Sequence, residues 1–123
     1  GSKILNIASL SGLKGLRMVR NTVYAASKAA MILFTKTLAL ELAGDGICVN
    51  CICPAVVETE IFETLGIPKK DIPKRMKQWR DFQPLGRNGK PQEIAKAAAY
   101  LCSEDASWIT GTVLTMDGGA MAE

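Results

Sequence analysis

The sequence predicts an α/β protein with a doubly wound parallel sheet, and three observations lead there. Short apolar runs alternate with longer helical patterns along the chain. The run 47–53 is apolar and β-branched without polar alternation, as a parallel strand covered on both faces requires. A long helical pattern joins it to an earlier strand pattern, which makes a βαβ unit with a right-handed crossover.

The first strand pattern is Ile4-Leu5-Asn6-Ile7-Ala8, entering the polar loop Ser9-Leu10-Ser11-Gly12. Gly1-Ser2 has the form of a tag remnant. Residues 12–21 hold Gly12, Lys14, Gly15, Arg17 and Arg20 and show no periodicity. From Asn21 or Thr22 to Ala43 the pattern is helical, with Asn21 and Thr22 as competent N-caps and Gly44 and Gly46 as the stop. Its apolar positions form two stripes, one through Val23, Ala26, Ala30, Leu33 and Leu40, the other through Ala29, Ile32, Phe34, Leu38 and Leu42. Such a helix is expected to be buried on two sides, one against a sheet and the other against a further subunit.

Pro54 ends the strand 47–53. In the irregular stretch 55–87, Glu58-Thr59-Glu60 introduces a short helix through Leu65-Gly66, and a second helix runs from Ile72 to Phe82. Lys69, Lys70, Lys74, Arg75, Lys77 and Arg80 make this stretch basic, which suits either a solvated helix face or a lid attracting an anionic substrate. Pro91 starts another helix, with Ile94, Ala97, Ala98 and Leu101 as its apolar face. A last strand, 112–116, follows the turn at Gly111 and ends at Asp117-Gly118-Gly119.

Composition narrows the function. The 123 residues, 48% hydrophobic and 22% charged, fit one globular unit, and a net charge of +3 is too mild to argue for nucleic acid. Lys28 and Lys36 leave only 29–35 uncharged between them, short of the roughly 20 apolar residues of a membrane span. The N-terminus lacks the form of a signal peptide. With no histidine, Ser-His-Asp triads, Cys-His dyads and His-rich metal sites are excluded. Of the four cysteines, Cys48, Cys51 and Cys53 lie in one strand pattern, with Cys51 and Cys53 facing opposite to Cys48. No second CxxC completes a metal site, so the thiols of this run are expected to be buried and reduced, in a cytoplasmic protein; Cys102 lies apart from them.

The chemistry points to Tyr24-Ala25-Ala26-Ser27-Lys28. A four-residue spacing on a helix puts Tyr24 and Lys28 on one face, with Cβ atoms roughly 5–6 Å apart. A fixed ammonium beside a phenol favours the phenolate, and a phenol so tuned can give or take a proton in general acid–base catalysis.

Five stretches in order extend that pattern: Asn6-Ile7-Ala8-Ser9, Tyr24-Ala25-Ala26-Ser27-Lys28, Val49-Asn50-Cys51-Ile52-Cys53-Pro54, Pro54 through Thr59, and Thr110-Gly111 to Asp117-Gly118-Gly119. Together they resemble the C-terminal half of a short-chain dehydrogenase/reductase, along essentially all of the chain. The resemblance implies the C-terminal half of a doubly wound Rossmann-type parallel sheet, with 55–87 as the substrate lid region. It also implies interconversion of a secondary alcohol and a ketone with NAD or NADP. Tyr24 is then the general acid–base, Lys28 its electrostatic partner and a ligand of the nicotinamide ribose, and Ser9 the holder of the substrate oxygen. Pro54, Ala55, Val57 and Thr59 form the cofactor loop, with backbone groups of Val57 on the carboxamide.

The sequence departs from the family pattern in several places. Ala55 stands where the family usually has glycine, and Lys90 is a poor N-cap. The gap from Ser9 to Tyr24 is slightly long, which leaves Ser11 as a rival for the serine role. The glycine-rich TGxxxGxG turn, the NNAG stretch and the residue choosing NAD against NADP do not occur in these residues. A further catalytic asparagine of the family lies upstream of its serine strand, so Asn6 is not that residue. The resemblance therefore implies a chain lacking the N-terminal half of the dinucleotide site, expected to be unstable alone because a truncated sheet leaves an open edge. Association as a homodimer or homotetramer through helix 22–43 is expected, with a small-molecule substrate and neither nucleic acid nor membrane as partner. The competing expectation is a non-catalytic interaction module that uses the same helix for docking.

Overall fold

A computed structural model describes residues 1–122. Strands β1 (Lys3–Ile7) and β2 (Cys48–Pro54) pair in parallel, with Lys3 opposite Cys48 and Ile7 opposite Ile52. β2 also pairs in parallel with β3 (Val113–Met116), Cys51 opposite Val113 and Pro54 opposite Met116. The order β1-β2-β3 puts β2 in the centre, and every residue from Cys48 to Cys53 is buried, which explains its lack of alternation. The strand begins one residue later than expected because the Ile47 amide closes the preceding helix, donating to Leu42 O at 3.2 Å.

Helix α1 (Thr22–Leu42) crosses from β1 to β2, and a turn ending at Gly46, with φ +69°, stops it. Asn21 takes the N-cap position without capping: its Nδ2 instead donates to Ser11 Oγ at 2.9 Å. Ile32, Thr35 and Ala39 are the buried face, and Ile32 packs with Ala8, Cys51 and Cys53. Thr35, fully buried, accepts a 2.9 Å bond from Asn6 Nδ2 and donates to Met31 O at 2.8 Å, a polar tie between helix and sheet.

The expectation that α1 is buried on two sides is met on one side only. Val23 (84%), Leu33 (65%) and Leu40 (81%) are exposed, because nothing in the described chain covers that stripe. Length and a mean hydropathy of 1.2 also make Thr22–Asp45 apolar enough to cross a membrane, despite Lys28 and Lys36. Its polar ties to β1 mark it as the crossover helix of the sheet.

On the α1 side of β2, Cys51 and Cys53 bring their Sγ atoms to 4.0 Å. On the other side, Cys48 donates to Ser107 O at 3.6 Å, and the Asn50 side chain bonds Ile109 O (2.7 Å) and Thr112 N (3.1 Å). Thr110 Oγ1 accepts from Val49 N at 3.0 Å and Gly111, at φ +70°, donates to Val49 O at 2.7 Å, so the Thr110-Gly111 pair fastens β3 to β2. The three cysteines of β2 are buried as expected, and Cys102 sits exposed where helix α4 (Pro91–Leu101) ends. At the start of α4, Lys90 offers no side-chain acceptor, and Glu93 compensates by accepting the Lys90 N–H at 2.8 Å.

Candidate active site

In a parallel sheet the carboxyl ends of the strands lie together, and ligand sites form beyond them. Ser9 follows β1 there, Pro54 ends β2, and Asp117 follows β3. The β1–β2 ladder runs one residue past Ile7, since Ala8 N donates to Ile52 O at 2.8 Å. Ser9 is thus on a fixed backbone, and its Oγ accepts from Ser11 N at 3.2 Å. Ser11 is taken up structurally through the bond from Asn21 that ties this loop to the start of α1.

Tyr24 is in the first turn of α1 with 40% of its surface exposed. Lys28 reaches back from the next turn, donates from Nζ to Ile7 O at 3.0 Å, and stands 5.6 Å from the centre of the Tyr24 ring. One ammonium therefore links the end of β1 to the face of the phenol. The buried Cys53 thiol reports the same convergence. Burial and then Cys51 push it up to about 12, while the Ser9 backbone and Lys28 act in the opposite direction. The thiol stays protonated and is a poor nucleophile.

Residue spacing gives no sign of the role of Gly12. A Cβ there would lie 2.7 Å from the Lys28 carbonyl carbon and 2.8 Å from Ala29 N. The serine loop touches the backbone of α1 at that point, and only glycine permits the approach. Nothing local marks this glycine, because its neighbour is sixteen residues away.

After Pro54, Ala55 N donates to Met116 O at 3.0 Å, so the alanine in the glycine position fits the β2–β3 ladder. Val57 then bridges to Gly89: Gly89 N donates to Val56 O and Glu58 N to Gly89 O, both at 2.9 Å. In such a bridge the N–H and C=O of Val57 point away from Gly89. Neither has a partner among the described residues. Thr59 is exposed, and its Oγ1 accepts from Ile61 N at 3.4 Å at the start of α2 (Ile61–Thr64).

The segment beyond it is held by side chains. Phe62 of α2 and Trp79 of α3 (Ile72–Phe82) are buried against each other with ring centres 4.6 Å apart. Gln83 Nε2 donates to Asn88 Oδ1 at 2.8 Å, and Asn88 Nδ2 returns to Met76 O at 3.2 Å. Lys14, in the loop between Ser9 and Tyr24, donates to Ala120 O at 2.9 Å and lies 5.6 Å from the Phe82 ring centre. The 55–87 stretch therefore runs from the Val57 loop to the serine loop across the carboxyl end of the sheet.

The fold and these residues define a class, and comparison with known proteins agrees. The family model described as enoyl-(acyl carrier protein) reductase matches residues 1–121, and the chain belongs to the short-chain dehydrogenase/reductase family. The 3-oxoacyl-(acyl-carrier-protein) reductase FabG of Chlamydia trachomatis is 44% identical over 116 residues, covering 94% of this chain and 44% of that protein. Among solved structures, L-sorbose reductase from Gluconobacter frateurii, complexed with NADPH and L-sorbose, superposes with a TM-score of 0.87 at 31% identity, over 100% of this chain and 48% of that one. A 4-hydroxyisoleucine dehydrogenase complexed with NADH gives 0.85 at 36% identity, over 98% and 47%. The chain spans about half the length of the relatives it matches.

Proposed function

We propose that the protein to which this chain belongs is an NAD- or NADP-dependent oxidoreductase interconverting a secondary alcohol and a ketone. The observation that supports this best is Lys28, held by Ile7 O beside the face of a Tyr24 ring that remains open to solvent. In this reading Tyr24 Oη gives the proton to the carbonyl oxygen in reduction and takes it back in oxidation. Lys28 keeps its ammonium beside the phenol and binds the ribose of the cofactor. Ser9 Oγ donates to the substrate oxygen where negative charge develops. We assign this role to Ser9 over Ser11 because Ser9 directly follows the residue that extends the β1–β2 ladder, at the carboxyl end of β1.

The residues present fit a nicotinamide, since Val57 offers one free N–H and one free C=O on a loop pinned at Gly89, matching a carboxamide. Pro54 and Ala55 set the course of that loop and Thr59 closes it as a further polar ligand. Such a cofactor, when bound, supplies the hydride donor or acceptor; the protein supplies orientation. Relatives with NADPH and with NADH in their structures support either nicotinamide. Residues 55–87 form the substrate lid within one Rossmann domain, of which 1–123 is the C-terminal part. We place the protein in the cytoplasm, as a homodimer or homotetramer through helix 22–43.

Replacing Tyr24 by Phe in the full-length protein is expected to lower turnover of NAD(P)H with a ketone by at least roughly a hundredfold. Circular dichroism should be unchanged. Turnover near that of the unmodified protein removes the proposal.

The exposed stripe of α1 favours a second reading, a docking module without catalysis. It requires the 123-residue chain to fold and self-associate without binding NADH. We expect instead no cooperative thermal transition at low concentration. A sharp melt with sedimentation as a dimer favours the docking module.

A further inference from the structure

Three sulfur-bearing side chains meet between β2 and α1. Cys51 and Cys53 are fully buried, and their Sγ atoms are 4.0 Å apart. Met31 of α1 packs against the same cluster and brings a thioether to it. The proton transfer assigned to Tyr24 uses none of the three. A disulfide does not suit the pair. Two residues apart on one strand, their Cβ atoms stand about 6.6 Å apart, beyond the roughly 3.5–4.5 Å that a disulfide spans. The gap instead fits a single atom held between the sulfurs. A soft ion bonds thiolate sulfur at about 2.3 Å, and from there two sulfurs 4.0 Å apart subtend about 120°. That is the angle of a trigonal site with its third corner free.

We propose that Cys51, Cys53 and Met31 form a binding site for a soft monovalent cation, copper(I), held by two thiolates and one thioether. Such ligands select this ion over hard cations. Zinc requires at least three ligands drawn from Cys, His and carboxylates. No cluster of three such groups exists among the described residues, so zinc is not accommodated. On binding, each thiol releases its proton to solvent as an S–Cu bond replaces the S–H bond, and the copper keeps its oxidation state. The complex carries one negative charge. Lys28, whose ammonium acts on the Cys53 thiol, offsets that charge, and the Ser9 backbone approaches the same sulfur. Met31 also lines an apolar cavity of about 400 Å³ with Asn6, Ser27, Ala30 and Phe34. Its unbranched side chain touches both cavity and thiols, so its rotation opens a route for the ion. The site stands independently of the oxidoreductase reading.

Copper(I) itself is the probe, titrated anaerobically into the full-length protein against the chromogenic chelator bicinchoninate. Cys102→Ser serves as the parent, because that thiol is exposed. Combining Cys51→Ala with Cys53→Ala should remove one bound ion per chain. Met31→Leu conserves volume and should weaken copper binding by at least roughly tenfold. Cys48→Ala, on the opposite face of β2, should leave the affinity unchanged. Thermal melts without metal verify that each variant is folded. Where the double alanine variant does not fold, Met31→Leu decides the matter alone. Equal copper uptake by a folded double alanine variant, an unchanged affinity in Met31→Leu, or zinc binding of equal strength overturns the proposal.

Discussion

The loop after β1 and the segment between Thr59 and Asn88 lie at the same end of the sheet, but in the first main chain rests on main chain, whereas the second is held chiefly by side chains. Around Ser9 the backbone bonds to β2 through Ala8, and Gly12 rests directly on the backbone of α1 at Lys28. Beyond Thr59 the ties are chiefly side-chain ones, Phe62 with Trp79 and Asn88 with Gln83 and Met76, with one main-chain bond, Leu85 N to Gly118 O at 3.0 Å, near the far end. Backbone contacts leave no rotamer freedom, so they suit a site where a proton and a hydride must move between fixed atoms. Side-chain contacts can open and re-form as a unit, which suits a cover over that site.

The largest test of this contrast is Trp79→Ala in the full-length protein. Emptying that space should cost about 3–5 kcal/mol locally. The loss should appear as faster proteolysis within 60–82 and a raised KM, with kcat nearly retained. A fall in kcat matching that of Tyr24→Phe breaks the distinction. Gly12→Ala comes next. The added methyl meets backbone at 2.7 Å and must push the serine loop from α1, a strain of about 1–3 kcal/mol. Here kcat should drop while KM moves little, and an unchanged kcat sharpens the contrast against us.

The smallest effect concerns the turn before α4. Arg87 bonds Glu93 at 2.8 and 2.6 Å, and this pairing, followed by the Lys90 N–H, lowers the Glu93 carboxyl to about 2. A depressed folded-state value means that the contribution is present above the ordinary carboxyl value of 4.5 and is lost as pH falls toward 2. The pair is solvent-screened, so thermal melts of Glu93→Gln should differ only slightly from the parent at pH 7. The two should converge by about pH 2. A gap that persists in acid assigns Glu93 a role other than its charge.

Much of this was legible in the residue pattern, for identifiable reasons. The helices starting at Thr22, Ile72 and Pro91 follow the expected boundaries because local periodicity, proline and glycine stops act within a few residues. The Tyr24–Lys28 face was legible because four residues on a helix make a turn. The partner of Lys28 was not, since Ile7 O is reached only once α1 folds back on β1. Asn50 looked like part of a strand signature; its two bonds to the 109–112 segment emerge only when β3 joins the sheet. The Asn21 cap failed for a similar reason, because Ser11 competes for the side chain.

By itself, then, the sequence determined the alternation of strands and helices, the family, and a phenol and an ammonium sharing one helical turn, all consequences of short-range spacing. Only the tertiary structure decided that Lys28 anchors on the end of β1, that Gly12 is required where two backbones touch, and that one apolar stripe of α1 stays uncovered. Those features join residues far apart in the chain, and no local preference encodes which distant backbone will arrive beside them.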